Sequence, residues 1–246
     1  MRIIIIGGGA SGFMAAITAA ENFPEATITI LEKNRTVLNK VRISGGGRCN
    51  VTHKPSEPRF FLKNYPRGEK LLRKLINKFG PQNTVDWFEK RGVKLKTEQD
   101  GRMFPVSDSS HTIIECLLRT AKQLGIEVIT STDVVPFTKM GDQGFSLQLN
   151  NNETLQADRL VIASGGSPKL SGFDWIKEHD HEIIDPNPSL FTFNTAGSYL
   201  LPLAGVSVPE VLIKIIGTKH EWRGPVLITH WGFSGPAVLK LSAWAA

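Results

Sequence analysis

The chain has 246 residues, 41% of them hydrophobic and 21% charged, with a formal net charge of +6 and two cysteines. This composition excludes a disordered chain and a disulfide-stapled fold, because apolar residues are plentiful and cysteines are few. No apolar run approaches the roughly 20 residues of a membrane-spanning helix, so we expect a cytoplasmic protein without a membrane partner.

The first 32 residues follow a strand–helix–strand pattern. The β-branched run Arg2–Ile6 predicts a buried parallel strand, and residues 7–12 follow it with G-x-G-x-x-G spacing. Residues 13–20 predict a helix, and Thr27–Leu31 predicts a second strand that ends at Glu32. Glu32 lies about 20 residues beyond the last glycine, which is the spacing of a dinucleotide-binding unit.

Each part of that unit has a physical task in holding a dinucleotide. Gly7 permits the tight turn, Gly9 lets the backbone approach a pyrophosphate, and Gly12 brings helix and strand together. The helix N-terminus attracts the pyrophosphate, and Glu32 accepts hydrogen bonds from ribose hydroxyls. The unit alone does not distinguish FAD from NAD.

Two later glycine-containing segments favour FAD. Residues 44–50 read S-G-G-G-R-C-N, and three consecutive glycines suit contact between a ligand and backbone, with a flexible surface loop as the alternative. Residues 158–166 predict a buried strand that ends in a glycine pair and returns beside the first strand. No second G-x-G-x-x-G follows a strand, so the sequence gives no sign of a separate nicotinamide domain.

The middle of the chain alternates between helical and strand patterns. Residues 69–92 predict helix with a break near Gly80-Pro81, and residues 109–124 predict an amphipathic helix that Ser109 or Ser110 caps. Strands are predicted at 127–130, Val134–Lys139 and Phe145–Leu149, before the return strand. We therefore expect a small antiparallel excursion from the parallel sheet.

The pattern becomes β-rich from about residue 188. Residues 190–193, 211–216 and 226–229 predict strands, and Ser234-Gly235-Pro236 predicts a helix start. Residues 237–246 predict a helix without a C-terminal stop signal, so we expect an N-terminal portion of a longer protein. The predicted domains are residues 1–187 and residues 188–246.

The motifs together resemble the YhiN/BaiN-like flavoproteins, described as NAD(P)/FAD-dependent oxidoreductases or aminoacetone-oxidase-family FAD-binding enzymes. The matching strings are residues 7–12, 32–33, 44–52, 101–105, 163–166 and 229–236. The resemblance implies an α/β fold, with FAD in a glutathione-reductase-like Rossmann domain and the start of an inserted, mostly β domain. After Gly166 the chain departs from the family pattern, because residues 167–174 lack part of a glycine-rich turn.

The sequence and the resemblance give one set of cofactor-binding residues and two catalytic candidates. The cofactor-binding set is Gly7, Gly9, Ala10, Ser11, Gly12, Glu32, Lys33, Lys40, Ser44, Gly45, Gly46, Gly47, Arg48, Cys49, Asn50, Val134, Ala163, Ser164, Gly165 and Gly166. His230 and Arg48 are the catalytic candidates, with a structural role as the alternative for each. Cys49 has no neighbouring cysteine in the sequence, so we expect a packed residue rather than a redox thiol, and Cys116 fits a core position. No metal-ligand spacing occurs.

The expected function is an FAD-dependent oxidoreductase that passes hydride between flavin and a small-molecule substrate, NADH or NADPH. The alternative is an FAD-containing RNA-modifying or nucleic-acid-binding protein, because 13 Lys/Arg and only two acids lie between Lys33 and Lys78. No RNA-binding motif supports that alternative. A third reading is a flavoprotein that binds its cofactor without turnover.

Overall fold

The computed structural model describes residues 1–167 and 169–246, so Pro168 of the departing segment lies outside the described residues. The chain forms two compact units. The first contains Met1–Glu57 and Leu75–His179, and the second contains Pro58–Lys74 and Asp180–Ala246.

The described strands and helices are numbered in chain order. The strands are β1 Arg2–Ile6, β2 Thr27–Leu31, β3 Thr52–His53, β4 Leu95–Thr97, β5 Arg102–Pro105, β6 Glu127–Ile129, β7 Val134–Lys139, β8 Phe145–Leu149, β9 Thr154–Ala157, β10 Arg159–Ile162, β11 Phe193–Asn194, β12 Ser207–Lys214, β13 Glu221–Thr229 and β14 Gly232–Ser234. The helices are α1 Ala10–Asn22, α2 Asn39–Ile43, α3 Pro58–Leu62, α4 Glu69–Lys78, α5 Pro81–Glu89, α6 Ser110–Gln123, α7 Asp174–Lys177 and α8 Pro236–Ser242. Short 3₁₀ turns occupy Ser44–Gly47, Gly141–Gln143, Leu170–Phe173 and Leu201–Leu203.

The first unit is built on a four-stranded parallel sheet in the order β10-β1-β2-β6. Ile4 of β1 aligns with Leu160 of β10 on one side and with Thr29 of β2 on the other. Strands buried on both faces favour runs of β-branched residues, which explains why β1 reads as four isoleucines. The predicted strand–helix–strand unit and the return strand beside β1 are both confirmed.

Two layers cover the faces of this sheet. On one face α1 and α6 bury Phe13, Ile17 and Cys116 completely. On the other face lies the antiparallel sheet β7-β8-β9, whose Leu147 packs in one cluster with Ile4 of β1. The predicted antiparallel excursion and the core position of Cys116 are confirmed, although β9 was not predicted because its four residues are too few to show a clear alternation.

A second small antiparallel sheet, β3-β5-β4, was also not predicted from the sequence. Thr52 of β3 pairs with Met103 of β5, and Leu95 of β4 pairs with Pro105. These strands have only two to four residues, too few for a period of two to be recognised. Their pairing places the motif of residues 101–105 beside residues 50–53.

The predicted helix break near Gly80-Pro81 and the predicted cap at Ser109 are confirmed, whereas the helix predicted to residue 92 ends at Glu89. Helix α5 begins at Pro81, and the Asn83 side chain accepts a hydrogen bond from the Gly80 N–H at 2.9 Å. Helix α6 is capped by Ser109, whose hydroxyl accepts from the His111 N–H at 3.3 Å. No helix among residues 1–167 and 169–246 is long and apolar enough to cross a membrane.

The second unit contains the antiparallel sheet β11-β14-β13-β12. Helix α8 covers this sheet, and Ala237 and Val238 are fully buried in a cluster with Val226 of β13. The predicted strand at 190–193 is wrong in its bounds, because only Phe193–Asn194 pairs with another strand, β14. The strand predicted at 211–216 runs instead from Ser207 to Lys214.

The helix expected over residues 237–246 ends at Ser242. The chain then turns tightly, with the Trp244 N–H donating to the Leu241 carbonyl at 3.0 Å. The Arg67 guanidinium donates to the carbonyls of Ala243 and Ala246 at 3.0 and 2.6 Å. The Arg67 side chain therefore supplies hydrogen-bond donors to carbonyl groups that follow the helix. Because Arg67 is distant in sequence, no local stop signal could predict this contact.

Candidate functional site

A cleft of about 1430 Å³ opens in the first unit at the carboxyl ends of the parallel strands. Its walls include the residues that directly follow β1, β2 and β10. Ligands of open α/β sheets bind at this edge. Because ordinary small-molecule pockets measure roughly 300–1,000 Å³, this cleft has room for a larger ligand such as a dinucleotide.

The glycines after β1 have separate structural roles. A Cβ on Gly12 would lie 1.9 Å from the Gly7 carbonyl oxygen, and one on Gly7 would lie 2.4 Å from the Ala163 carbonyl oxygen. Gly7 also has a φ of +111°, a backbone conformation that residues with a side chain rarely adopt. A Cβ on Gly9 would meet no atom within 4 Å. Gly7 and Gly12 therefore allow β1, α1 and β10 to pack closely, while Gly9 leaves backbone open to the cleft.

The N-terminus of α1 is open to an anion. Gly9 is its N-cap residue, no side chain caps the first turn, and that turn contains no acidic residue. Ala10 and Ser11 line the cleft. The first N–H groups of a helix lack intrahelical acceptors and carry partial positive charge. This end of the cleft is therefore suited to phosphate.

Glu32 lies at the end of β2 with only 9% of its surface exposed. One carboxylate oxygen accepts from the Gly8 N–H at 2.8 Å, and the other accepts from both the backbone and the side-chain amide of Asn34. A carboxylate has about four acceptor sites, so about one is left for a ligand hydroxyl. These bonds fix the carboxylate in the wall of the cleft.

The glycine cluster at residues 44–50 forms a tight left-handed turn. Gly45, Gly46 and Gly47 all have positive φ, and a Cβ on Gly45 would lie 2.8 Å from the Asn50 nitrogen. Of this cluster, Ser44, Cys49 and Asn50 line the cleft, whereas Gly45, Gly46, Gly47 and Arg48 do not. The three glycines thus allow the tight turn, and the residues at its two ends line the cleft.

Arg48 points to the small antiparallel sheet. Its guanidinium lies 2.5 Å from Glu98 and 3.5 Å from Asp108, and it stands 4.0 Å from the centre of the Phe104 ring. The hydrogen bond to Glu98 raises the pKa of Arg48 above its ordinary value. These contacts hold the turn against β5. They support the alternative that Arg48 has a structural rather than a catalytic role.

Cys49 is buried and has a φ of 60°. Burial raises the pKa of its thiol, against a smaller opposing effect of a hydrogen bond with Ser44. Cys49 and Cys116 are both free thiols. A thiol with a raised pKa is a poor nucleophile at neutral pH, which fits the expectation of a packed residue.

Lys40 and the return-strand segment occupy facing positions in the cleft. A Cβ on Gly165 would lie 3.6 Å from Lys40 Nζ, and both residues line the cleft. Lys33, Val134, Ala163, Ser164 and Gly166 line it as well. The ammonium group adds positive charge beside the glycine pair that follows β10.

His230 lies elsewhere. It is exposed in the turn between β13 and β14 of the second unit and is not one of the residues lining this cleft. Within the described part of the chain, no group of three or more His, Cys, Asp and Glu residues is arranged to hold a metal ion.

Several lining residues were not predicted from the sequence, because they come from segments that are distant along the chain. They include Thr132, Asp133, Phe173, Trp175 and Glu178. An apolar part of the cleft is lined by Met14, Val41, Trp87, Phe88, Ile113 and Leu117. The helical periodicity of these apolar residues is typical of core positions. For Trp175 the local signal was an aromatic residue after the return strand.

Comparison with known proteins places this fold and cleft in one family. The family model described as HI0933-like protein Rossmann domain matches residues 1–222. The chain is 28% identical to a 3-dehydro-bile acid delta(4,6)-reductase of Clostridium scindens, over 98% of the chain and 59% of the relative. It is 29% identical to a ribosomal RNA dihydrouridine synthase of Escherichia coli, over 98% of the chain and 60% of the relative. The chain thus spans about three fifths of these relatives.

Solved structures confirm the Rossmann-like fold. A flavocytochrome c3 fumarate reductase in its open conformation has a TM-score of 0.53 at 20% identity, over 67% of this chain and 33% of that one. A 3-ketosteroid-delta4-(5alpha)-dehydrogenase from Rhodococcus jostii has a TM-score of 0.52 at 16% identity, over 67% and 45%. With the family model matching most of its length, the chain belongs to the HI0933-like Rossmann-domain family.

Proposed function

We propose that the cleft of the first unit binds FAD and that the protein is an FAD-dependent oxidoreductase. Its flavin exchanges hydride with a small-molecule substrate, NADH or NADPH. The observation that carries this proposal is the uncapped, acid-free start of α1, which opens into the same cleft as Glu32 and Gly165. That combination provides separate places for a pyrophosphate and a ribose.

The residues present fit FAD in both charge and shape. The α1 N-terminus and Lys40 supply positive charge for two phosphates, and Glu32 supplies an acceptor for a ribose hydroxyl. The apolar part of the cleft, with Trp87 and Phe88, offers walls for a flat ring. When bound, the flavin supplies the redox chemistry, while the chain binds it, orients it and excludes water.

The proposed cofactor-binding residues divide by their placement. Those that line the cleft are Gly7, Gly9, Ala10, Ser11, Glu32, Lys33, Lys40, Ser44, Cys49, Asn50, Val134, Ala163, Ser164, Gly165 and Gly166. Gly12, Gly45, Gly46, Gly47 and Arg48 act through the packing and shape of the two glycine turns. The domain boundary near residue 188 also stays a proposal, with residues 1–187 forming the FAD domain.

The relatives' names support a finer reaction class. A bile acid delta(4,6)-reductase and a dihydrouridine synthase both name the addition of hydrogen to an unsaturated ring. We therefore assign this chain the reduction of a ring double bond.

A second candidate function is the modification of RNA. It is favoured by two relatives named ribosomal RNA dihydrouridine synthase, from Escherichia coli at 29% and Haemophilus influenzae at 26% identity. The basic segment between Lys33 and Lys78 adds charge that would attract a polyanion. Salt-dependent retention of ribosomal RNA supports this candidate, and no retention at low salt contradicts it.

The deciding experiment is reconstitution followed by anaerobic redox titration. The purified protein is incubated with FAD, dialysed and examined for the visible absorption bands of bound flavin. It is then reduced with NADH or NADPH and mixed with either a conjugated cyclic ketone or uridine-containing RNA, and the compound that reoxidises the flavin identifies the substrate class. A protein that takes up no FAD contradicts the proposal.

A further inference from the structure

We propose that Trp175 forms one wall of the adenine subsite in the cleft, a role that rests on the proposed binding of FAD. Trp175 lies in α7, directly after residues 167–174, where the chain departs from the pattern of the flavoproteins it resembles.

The orientation of a dinucleotide in the cleft follows from two fixed points. The α1 N-terminus takes the pyrophosphate, and Glu32 takes the ribose next to it. The adenine must therefore lie beyond Glu32, away from α1.

The segment after β6 forms the first wall of that end. The Thr132 N–H donates to the Glu32 carbonyl at 2.9 Å, and the Ser131 N–H donates to the Asn34 carbonyl at 2.9 Å. Thr132, Asp133 and Val134 line the cleft. The backbone from Thr132 to Val134 consequently adjoins the proposed ribose position.

The segment that contains α7 belongs to the same end, because Trp175 packs in one apolar cluster with Leu31 and Val134. Phe173, Trp175 and Glu178 all line the same cleft as Glu32 and Thr132. Trp175 is half-buried, so part of its indole is open to a ligand. This end therefore combines an aromatic side chain with the backbone of residues 132–134, which suits a flat base.

Trp175 is held in one orientation before any ligand binds. Its indole N–H donates to the Gly172 carbonyl at 3.0 Å, and its ring meets Phe137 edge to face with centroids 5.9 Å apart. Phe137 is in turn stacked on His179 at 3.8 Å. Because the indole is already ordered, binding of the base costs little side-chain entropy.

The test compares ligands that contain the adenosine end with one that lacks it. Dissociation constants of FAD, ADP and FMN are measured by calorimetry for the wild type, Trp175→Ala and Trp175→Phe. We expect Trp175→Ala to weaken FAD and ADP roughly tenfold or more, since removing an aromatic partner of a base has an effect of this size. Trp175→Phe keeps most of the affinity, and FMN binding is the same in all three proteins.

Intrinsic fluorescence gives a readout that does not depend on the alanine variant folding. ADP quenches part of the tryptophan emission of the wild type, and this quenching disappears in Trp175→Phe. It persists in the matched control Trp222→Phe, because Trp222 packs in the core of the second unit. The melting temperature of each variant is measured to check that it is folded.

The outcomes separate this inference from the proposed function. If the wild type binds FAD and Trp175→Ala binds FAD and ADP equally well, the adenine wall is overturned while the FAD site stands. A selective loss of FMN affinity places Trp175 at the flavin end and also overturns the inference. If the wild type binds neither FAD nor ADP, both the inference and the proposed function fail.

Discussion

The Cα of Gly12 lies so close to the Gly7 carbonyl that a methyl group on Gly12 would be 1.9 Å from the oxygen. This approach joins the first turn of α1 to the end of β1, and no rotation of a side chain can relieve the overlap. The spacing of the two glycines is therefore a packing requirement as well as a signature of ligand binding.

Replacing Gly12 with alanine is expected to destabilise the first unit. The added methyl forces the α1–β1 junction apart, and overpacking of this kind lowers the free energy of unfolding by about 2–3 kcal/mol. Urea denaturation measures the loss.

The matched control is Gly9→Ala, because a Cβ at that position meets no atom within 4 Å and its φ is −88°. This variant loses at most about 1 kcal/mol of stability, since alanine is a poorer N-cap than glycine. Its affinity for FAD falls instead, as the methyl occupies space in the cleft. Equal stability of Gly12→Ala and the wild type would rule out the packing role.

Glu32→Gln is expected to weaken FAD binding. The amide group keeps one acceptor oxygen but cannot hold both the Gly8 and Asn34 N–H groups and a ribose hydroxyl, so we expect about a tenfold rise in Kd. Glu25→Gln, an exposed acid before β2, serves as the control. Unchanged FAD affinity in Glu32→Gln would remove the assigned ribose contact.

Arg48→Met tests whether this arginine has a structural role. The variant loses the ion pairs to Glu98 and Asp108 and the contact with the Phe104 ring, all partly exposed, so we expect a small but measurable fall in the urea midpoint. FAD affinity stays within about threefold of the wild type. A loss of flavin reduction at unchanged stability would instead make Arg48 a catalytic residue.

The ion pair of Lys96 with Asp108 predicts a dependence of stability on pH. The hydrogen bond from Lys96 lowers the pKa of Asp108, so its contribution is present above the ordinary aspartate pKa of about 4 and is lost as pH falls through the lowered folded-state value. We expect the wild type to exceed Asp108→Asn in urea midpoint at neutral pH and the difference to vanish in acid. A difference that grows in acid would contradict this assignment.

Cys49 is expected to react slowly with alkylating reagents. Because burial raises the pKa of its thiol, less thiolate is present at neutral pH than in a free cysteine. In a Cys116→Ala background, iodoacetamide should modify native Cys49 far more slowly than the unfolded protein. Cys49→Ala should retain flavin reduction by NAD(P)H, and abolition of that reduction at normal FAD affinity would establish a redox thiol.

The local pattern of residues 1–32 was sufficient to predict β1, α1, β2 and the position of Glu32. The β-branched run, the glycine spacing and the helical segment act over a few residues each, so their physical causes are visible in the sequence. The antiparallel excursion and the cap at Ser109 followed from equally local periodicity and capping signals.

Tertiary structure decided which side chains face the cleft. Arg48 and Cys49 are neighbours in one motif, yet Arg48 turns to Glu98, which directly follows β4, while Cys49 is buried at the cleft wall. Trp175 lies in the same cleft as Glu32, although more than half the chain separates them. Such placements depend on pairing between distant strands, whose hydrogen bonds leave no local period in the sequence, and they form only when the parallel sheet is assembled.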